Sequence, residues 1–396
     1  MAPPHAFARS ARSAPPSQAA ANRPTQTGGN ACIVRDPHGV VAICSPWNFP
    51  ADEALLLALP ALAAGNTVVL KPSEVAPLTG AIVAEALQAL LPDGVVELVQ
   101  GDGGVGAALV GGDVQMVAMT GSSATGRKIM SACASDLKRL VLELGGKDPM
   151  VVFADADLDA AAKEAVEYSL MNCGQVCCSV ERIYVEESAK PAFERLCVKE
   201  AQAYVAGDGF DANARMGPMV SAVQRDQVRT QVDEAVKAGA KVLARGPVQS
   251  GACAKGFFQE AVVLSDVTQD HAISHTETFG PVVAISSFDG TEASAIRLAN
   301  DTAYGLAAYV YTRDLDKARR VAMGIKAGQV GINNYSLAMA PITCPWVGAK
   351  GSGFGHHSGV DGWQMFSVPK SLVFNSEAEV PAELGGARVV RERAKL

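Results

Sequence analysis

The sequence predicts an α/β fold, a parallel sheet wound with helices followed by a second α/β region, and three observations carry that expectation. Short β-branched runs alternate with helical stretches, polar residues and glycines gather where each run ends, and a second alternating block begins near Pro149. Strands separated by helices imply parallel pairing with right-handed crossovers.

The runs fall at 39–45, 66–71, 94–100, 114–119 and 139–144. Ser45 to Asn48, Lys71 to Glu74, Gly101 to Asp102, Thr120 to Ser122 and Glu143 to Gly146 each follow one of them. Open α/β sheets bind ligands beyond the carboxyl ends of their strands, so one rim of this sheet is expected to carry the site. The second block opens with the strand-like PMVVFAD and the helical LDAAAKEAVEYSL, and extends to about Val347. In the stretch from Arg313 to Lys326, helical spacing puts Leu315, Ala318, Val321, Ala322 and Ile325 on one face. No internal repeat is visible.

With 396 residues, 48% of them hydrophobic, the chain is long enough for more than one domain. A net charge of −7 with scattered cations argues against nucleic acid, because phosphate binding needs clustered Lys and Arg. The longest apolar run, Ala54 to Gly65, is far short of the roughly 20 residues that cross a bilayer, and Pro60 interrupts it. No membrane span is expected. Nine cysteines without paired spacing suit a reducing compartment and give no metal site. His356 and His357 are neighbours that point apart on a helix or a strand, and fit a solvated turn.

Residues 1–35 are rich in Ala, Pro, Ser and Gln, with four arginines and no acid before Asp36. Such a segment buries no core. A disordered leader, a misplaced start and an organellar targeting peptide all fit it, so the expected location is the cytoplasm, or a mitochondrion or plastid if the segment is a targeting signal.

Two glycine patterns invite over-reading. Gly101, Gly103 and Gly106 match the dinucleotide fingerprint, but that pattern is common and the first strand has already passed. GSSATGRK at 121–128 resembles a P-loop, yet Arg127 replaces the lysine and Lys128 the metal-binding hydroxyl. What remains is MVAMT followed by Gly121 and Ser122 opening a helix, whose first N–H groups suit a phosphate.

These segments, with SPWNFP at 45–50, LKPSE at 70–74, LELGG at 142–146, GQVC at 174–177 and ETFGP at 277–281, resemble the aldehyde dehydrogenase superfamily. NDTAYGLAAYVYT at 300–312 and GQVGIN at 328–333 extend the resemblance, in collinear order, from about Val34 to Phe374. It implies a Rossmann-like cofactor domain at 36–146, a catalytic α/β domain at 147–347, and a returning segment with an oligomerisation strand and tail at 348–396. By the same resemblance the substrate is an aldehyde, the cofactor is NAD with NADP as the alternative, and the chain forms a homo-oligomer, dimer or tetramer.

By resemblance Cys177, after GQ, is the nucleophile in preference to Cys173 or Cys178, and Glu143 is the base. A thiolate with a lowered pKa attacks the aldehyde, and the amide of Asn48 with the N–H of Cys177 stabilises the oxyanion. The thiohemiacetal is oxidised to a thioester, which water activated by Glu143 hydrolyses to the acid. Any single cysteine is more often a small buried hydrophobe, the better description of Cys32, Cys44 and Cys197. For the cofactor, the resemblance places Lys71 and Glu74 at the adenosine ribose with Trp47 nearby, and counts Ser45, Ser73 and Leu144 among the cofactor-binding residues. By the same resemblance Gly121, Ser122 and Gly126 are expected near the pyrophosphate, and Glu277 with Phe279 at the nicotinamide ribose and ring. A carboxylate such as Glu74 accepts from ribose hydroxyls and repels a 2′-phosphate, which favours NAD.

The chain departs from the family pattern in two places. About a hundred more residues usually precede SPWNFP, so an N-terminal part of the cofactor domain is expected to be missing. Within PWVGAKGSG at 345–353, Val347 and Ala349 replace residues more usual in the motif. A catalytically silent relative and an enzyme that acylates coenzyme A are the competing readings, and Glu143 argues against the second.

Overall fold

The computed structural model describes residues 25–28, 30–335 and 343–376, which divide into two compact units. The first takes the described residues up to Leu142 together with 343–345 and 355–376, and the second takes 143–335 and 346–354.

In the first unit, β1 (Thr25–Gly28) and β2 (Ala31–Pro37) are followed by β3 (Val40–Ser45), β4 (Thr67–Pro72), β5 (Val96–Leu98), β6 (Met116–Thr120) and β7 (Arg139–Glu143). The last five lie in the order β7-β6-β3-β4-β5, and β3 pairs parallel with both β4 and β6. Their sequences are continuous apolar runs because both faces are covered. Val41, Ile43, Val68, Leu70, Met116 and Val141 pack with Ala54, Leu57, Ala58 and Ala61 of the helix Asp52–Ala63 and with Val83 and Ala84 of the helix Pro77–Gln88. Burying each large aliphatic side chain contributes about 1.5–3 kcal/mol. The helix Asp52–Ala63 runs through Pro60.

A separate antiparallel sheet has the order β1-β2-terminal strand. The terminal strand, Ser367–Val373, pairs with β2 from Ser367↔Pro37 to Val373↔Ala31. Residues 25–28 and 31–35, which composition groups with the leader, therefore stand in strands. Backbone pairing with a segment more than three hundred positions away supplies what composition does not report. Residues 1–24 and 29 of that segment lie outside the described residues.

The second unit is built on β8 (Asp148–Val152), β9 (Val180–Glu186), β10 (Lys241–Arg245), β11 (Val262–Ser265), β12 (Val282–Phe288), β13 (Ala307–Tyr311) and β14 (Gln329–Ile332). Their order is β10-β11-β12-β9-β8-β13-β14, parallel except for β10. The helix Leu158–Leu170 starts where the Asp157 carboxylate accepts from Ala160 N, satisfying one of the free donors of a helix start. In the helix Leu315–Gly324, Ala318 and Val321 are buried in the core, whereas Leu315 is exposed, contrary to the periodicity. It occupies the first turn, and a helical side chain leans toward the N-terminus, here past the helix end into solvent. Among the described residues, no helix is long and apolar enough to cross a membrane.

Candidate active site

Three of the motifs meet inside the second unit. β7 ends at Glu143, which is buried, and the chain turns through Leu144, Gly145 and Gly146 before Lys147 and β8. A Cβ on Gly145 would collide with the Glu277 carboxylate, and one on Gly146 with the backbone carbonyl of Cys177. Gly174 is packed in the same way against the carbonyl of Gly280. LELGG, GQVC and ETFGP thus touch through glycines, and a side chain at any of the three positions would part them.

Cys177 is reached by an unusual turn. After the helix Leu158–Leu170 the backbone takes positive φ at Asn172 (50°), Cys173 (58°) and Gly174 (70°). Gln175 secures it, accepting from Val220 N at 2.8 Å and donating to Asn172 O at 3.0 Å. Cys173 ends up buried against Met219, and burial pushes its thiol up to about 12. Cys178 is buried too, its sulfur 3.2 Å from the Tyr335 hydroxyl and its carbonyl accepting from Tyr309 at 2.7 Å. Tyr335 stacks on Tyr168 with ring centroids 3.7 Å apart. Of the three cysteines, Cys177 alone keeps partial exposure.

Glu277 and Phe279 lie on the loop before β12. The Glu277 carboxylate accepts from Gly146 N at 3.2 Å, and burial, reinforced by the charge of Glu181, raises it to about 8. Phe279 has φ 49°, a left-handed conformation rare for a bulky residue. Asp148, fully enclosed, is pushed well above the carboxylate range by burial, and accepts from Ala307 N at 3.1 Å.

The first unit carries the other motif residues on the carboxyl ends of its strands. Ser45 ends β3, and its buried hydroxyl has no hydrogen-bond partner among the described residues. Trp47 and Asn48 follow, half-buried, before the helix Asp52–Ala63. Lys71, near the end of β4, is buried with its stem 3.6 Å from where a Gly106 Cβ would stand, and its ammonium is 3.7 Å from Glu74, whose side chain is 54% exposed. Ser73 accepts from Val75 N at 3.3 Å. Ser122, exposed, caps the helix Ser123–Cys133 by accepting from Thr125 N at 3.2 Å, Gly121 precedes it, and Gly126 is buried in its first turn.

Of the dinucleotide-like glycines, Gly101 is required by packing, whereas a Cβ at Gly103 would meet nothing within 4 Å. Gly101 has φ 147° and leaves no room for a side chain beside Val105, while the Asp102 carboxylate caps the helix Gly103–Gly111 through Gly104 N at 2.9 Å. That carboxylate sits where a pyrophosphate would need open donors.

Sequence reading missed four participants. Lys147, Glu181 and Thr278 form a buried network beneath the Glu277 loop, and Glu53 accepts from Thr120 Oγ1 at 2.9 Å on the first unit's rim, its carboxyl raised to about 7 by burial. Their only sequence signal is proximity to a motif, which surface charges share.

The aldehyde dehydrogenase family model matches residues 5–372. The chain belongs to the aldehyde dehydrogenase family. This aldehyde dehydrogenase is 40% identical over 349 residues to the betaine aldehyde dehydrogenase of Bacillus subtilis, an alignment that covers 87% of the chain and 71% of that relative. A betaine aldehyde dehydrogenase from Staphylococcus aureus, solved in complex with NAD+, superposes with a TM-score of 0.84 at 35% identity, covering 95% of the chain and 74% of the other. Lactaldehyde dehydrogenase from Escherichia coli gives a TM-score of 0.84 at 36% identity, covering 89% and 74%. The parallel α/β architecture and the aldehyde-oxidising class expected from the motifs both hold.

Proposed function

We propose that this enzyme oxidises an aldehyde to a carboxylic acid with NAD, through a thiohemiacetal and then a thioester on Cys177, and that Glu143 activates the hydrolytic water. The observation that carries the proposal is the convergence of LELGG, GQVC and ETFGP, with Cys177 the one partly exposed thiol of its trio. The Cys177 sulfur, as thiolate, forms the C–S bond to the aldehyde carbon, and the amide of Asn48 and the Cys177 N–H are the donors that the resemblance assigns to the developing oxyanion. The dinucleotide, when bound, supplies the two-electron acceptor that the oxidation needs. Water then adds to the thioester, Glu143 takes its proton, and the C–S bond breaks to return the thiolate.

The residues present suit such a coenzyme. Ser45 offers a buried, unsatisfied hydroxyl at a strand end, and Glu74 presents an open carboxylate beside the Lys71 ammonium, suited to ribose hydroxyls. The solved relative holds NAD+. A panel of aldehydes assayed with NAD and NADP in parallel tests this. NADH formation with kcat/KM higher for NAD is expected; higher values with NADP overturn the coenzyme assignment, and no reduction with any aldehyde by folded protein overturns the activity.

The same proposal extends to assembly as a homo-oligomer. The terminal strand Ser367–Val373 pairs β2 along one edge and, among the described residues, ends its sheet on the other, and an open edge is a template for a second chain. Light scattering at micromolar concentration should give a dimer or tetramer, and a monodisperse monomer contradicts it.

A further inference from the structure

We propose that Lys147 and Glu181 are a buried positioning pair that fixes the Glu277–Phe279 segment and thereby tightens coenzyme binding, an inference that rests on the NAD assignment above. Lys147 precedes β8 and Glu181 lies in β9, where the register steps from Asp148↔Val180 to Pro149↔Arg182. Glu181 is the extra residue of that irregularity, and bulges re-aim side chains. Its side chain is 5% exposed and that of Lys147 0%.

Both oxygens of Glu181 are spent on one short loop. Oε2 accepts from Lys147 Nζ at 2.6 Å and from Thr278 N at 2.8 Å, and Oε1 accepts from Phe279 N at 2.9 Å. Lys147 Nζ also donates to Thr278 Oγ1 at 3.0 Å. From the opposite side the helix Ala222–Lys237 holds the carbonyls: Gln224 donates to Thr278 O at 3.3 Å and Phe279 O at 3.2 Å, and Gln231 to Glu277 O at 3.2 Å. The loop is clamped by its N–H groups and by its carbonyls.

Stability alone is a weak reason for such a pair, because hydrophobic residues of similar volume often do as well in a core. Geometry is a better one. Phe279 stands at φ 49°, and a residue in that region persists only where its surroundings over-determine it. The Phe279 N–H bond to Glu181 supplies that constraint, and the same segment directs the Glu277 carboxylate onto Gly146 N.

The test compares Glu181→Gln with the near-isosteric Thr278→Val, which removes only the Lys147–Thr278 hydroxyl contact and keeps the experiment decisive if the first variant does not fold. KM for NAD should rise about tenfold in Glu181→Gln and about threefold in Thr278→Val, with kcat at saturating NAD within about twofold. Without coenzyme, hydrogen exchange of the peptide carrying Thr278 and Phe279 should be faster in Glu181→Gln. Unchanged KM and unchanged exchange overturn the proposal, as does a loss confined to kcat, the mark of fewer folded molecules. Wild-type protein that binds no NAD in calorimetry overturns the coenzyme assignment instead, and is thereby told apart from failure of the pair.

Discussion

Cys177→Ala is expected to lower kcat/KM by about 10⁴ or more while leaving the fold intact. The loss is that large because no neighbouring thiol can take over. Cys173 is sealed against Met219 and its thiol is raised to about 12, so at neutral pH it stays protonated and out of reach of a substrate. Cys178 is enclosed between Tyr335 and Tyr309. Cys173→Ala should therefore keep most of the activity. Iodoacetamide should label one cysteine of this trio rapidly in the wild type and none of it in Cys177→Ala, as read by mass spectrometry of the peptide. Residual turnover near wild type in Cys177→Ala, or activity that follows Cys173 instead, would remove the assignment.

Glu143→Gln should separate the two halves of the reaction. Acylation needs a thiolate and an electron acceptor, whereas deacylation needs an activated water, which a glutamine amide does not provide. The variant should release up to about one NADH per active site and then stall with an acyl group on Cys177. If Glu143 also helps deprotonate Cys177, the burst is slowed before the stall. Intact-protein mass spectrometry of the quenched variant reads the adduct directly. Full steady-state turnover without an adduct rules out Glu143 as the base.

How much of this was legible depends on whether a residue's role is local. Strand ends were: the runs read at 39–45, 66–71, 114–119 and 139–144 became β3, β4, β6 and β7 within a residue or two, because a doubly covered strand must be apolar throughout. LDAAAKEAVEYSL is the helix Leu158–Leu170 residue for residue, with Asp157 as its cap. The two compact units part between Leu142 and Glu143, just before the glycine turn that packs on Cys177 and Glu277. The motif residues could be named, but not what holds them. Lys147 and Glu181 are separated by a strand, a helix and a left-handed turn, and only the β8–β9 register makes them partners. The same holds for Arg182, whose guanidinium donates to the carbonyls of Leu298 at 3.0 Å and Ala299 at 2.8 Å, closing the end of the helix Glu292–Asn300.

The pairing of β2 with the terminal strand has a consequence for the order of events during synthesis. β2 is made well before its second partner, which begins at Ser367, about 330 residues later. At 5–20 residues per second that is a wait on the order of half a minute. Every strand of the second unit's sheet has been made by then, since β14 ends at Ile332. The second unit's sheet and the strands β3 to β7 can therefore pair first, while β2 waits for Ser367–Val373.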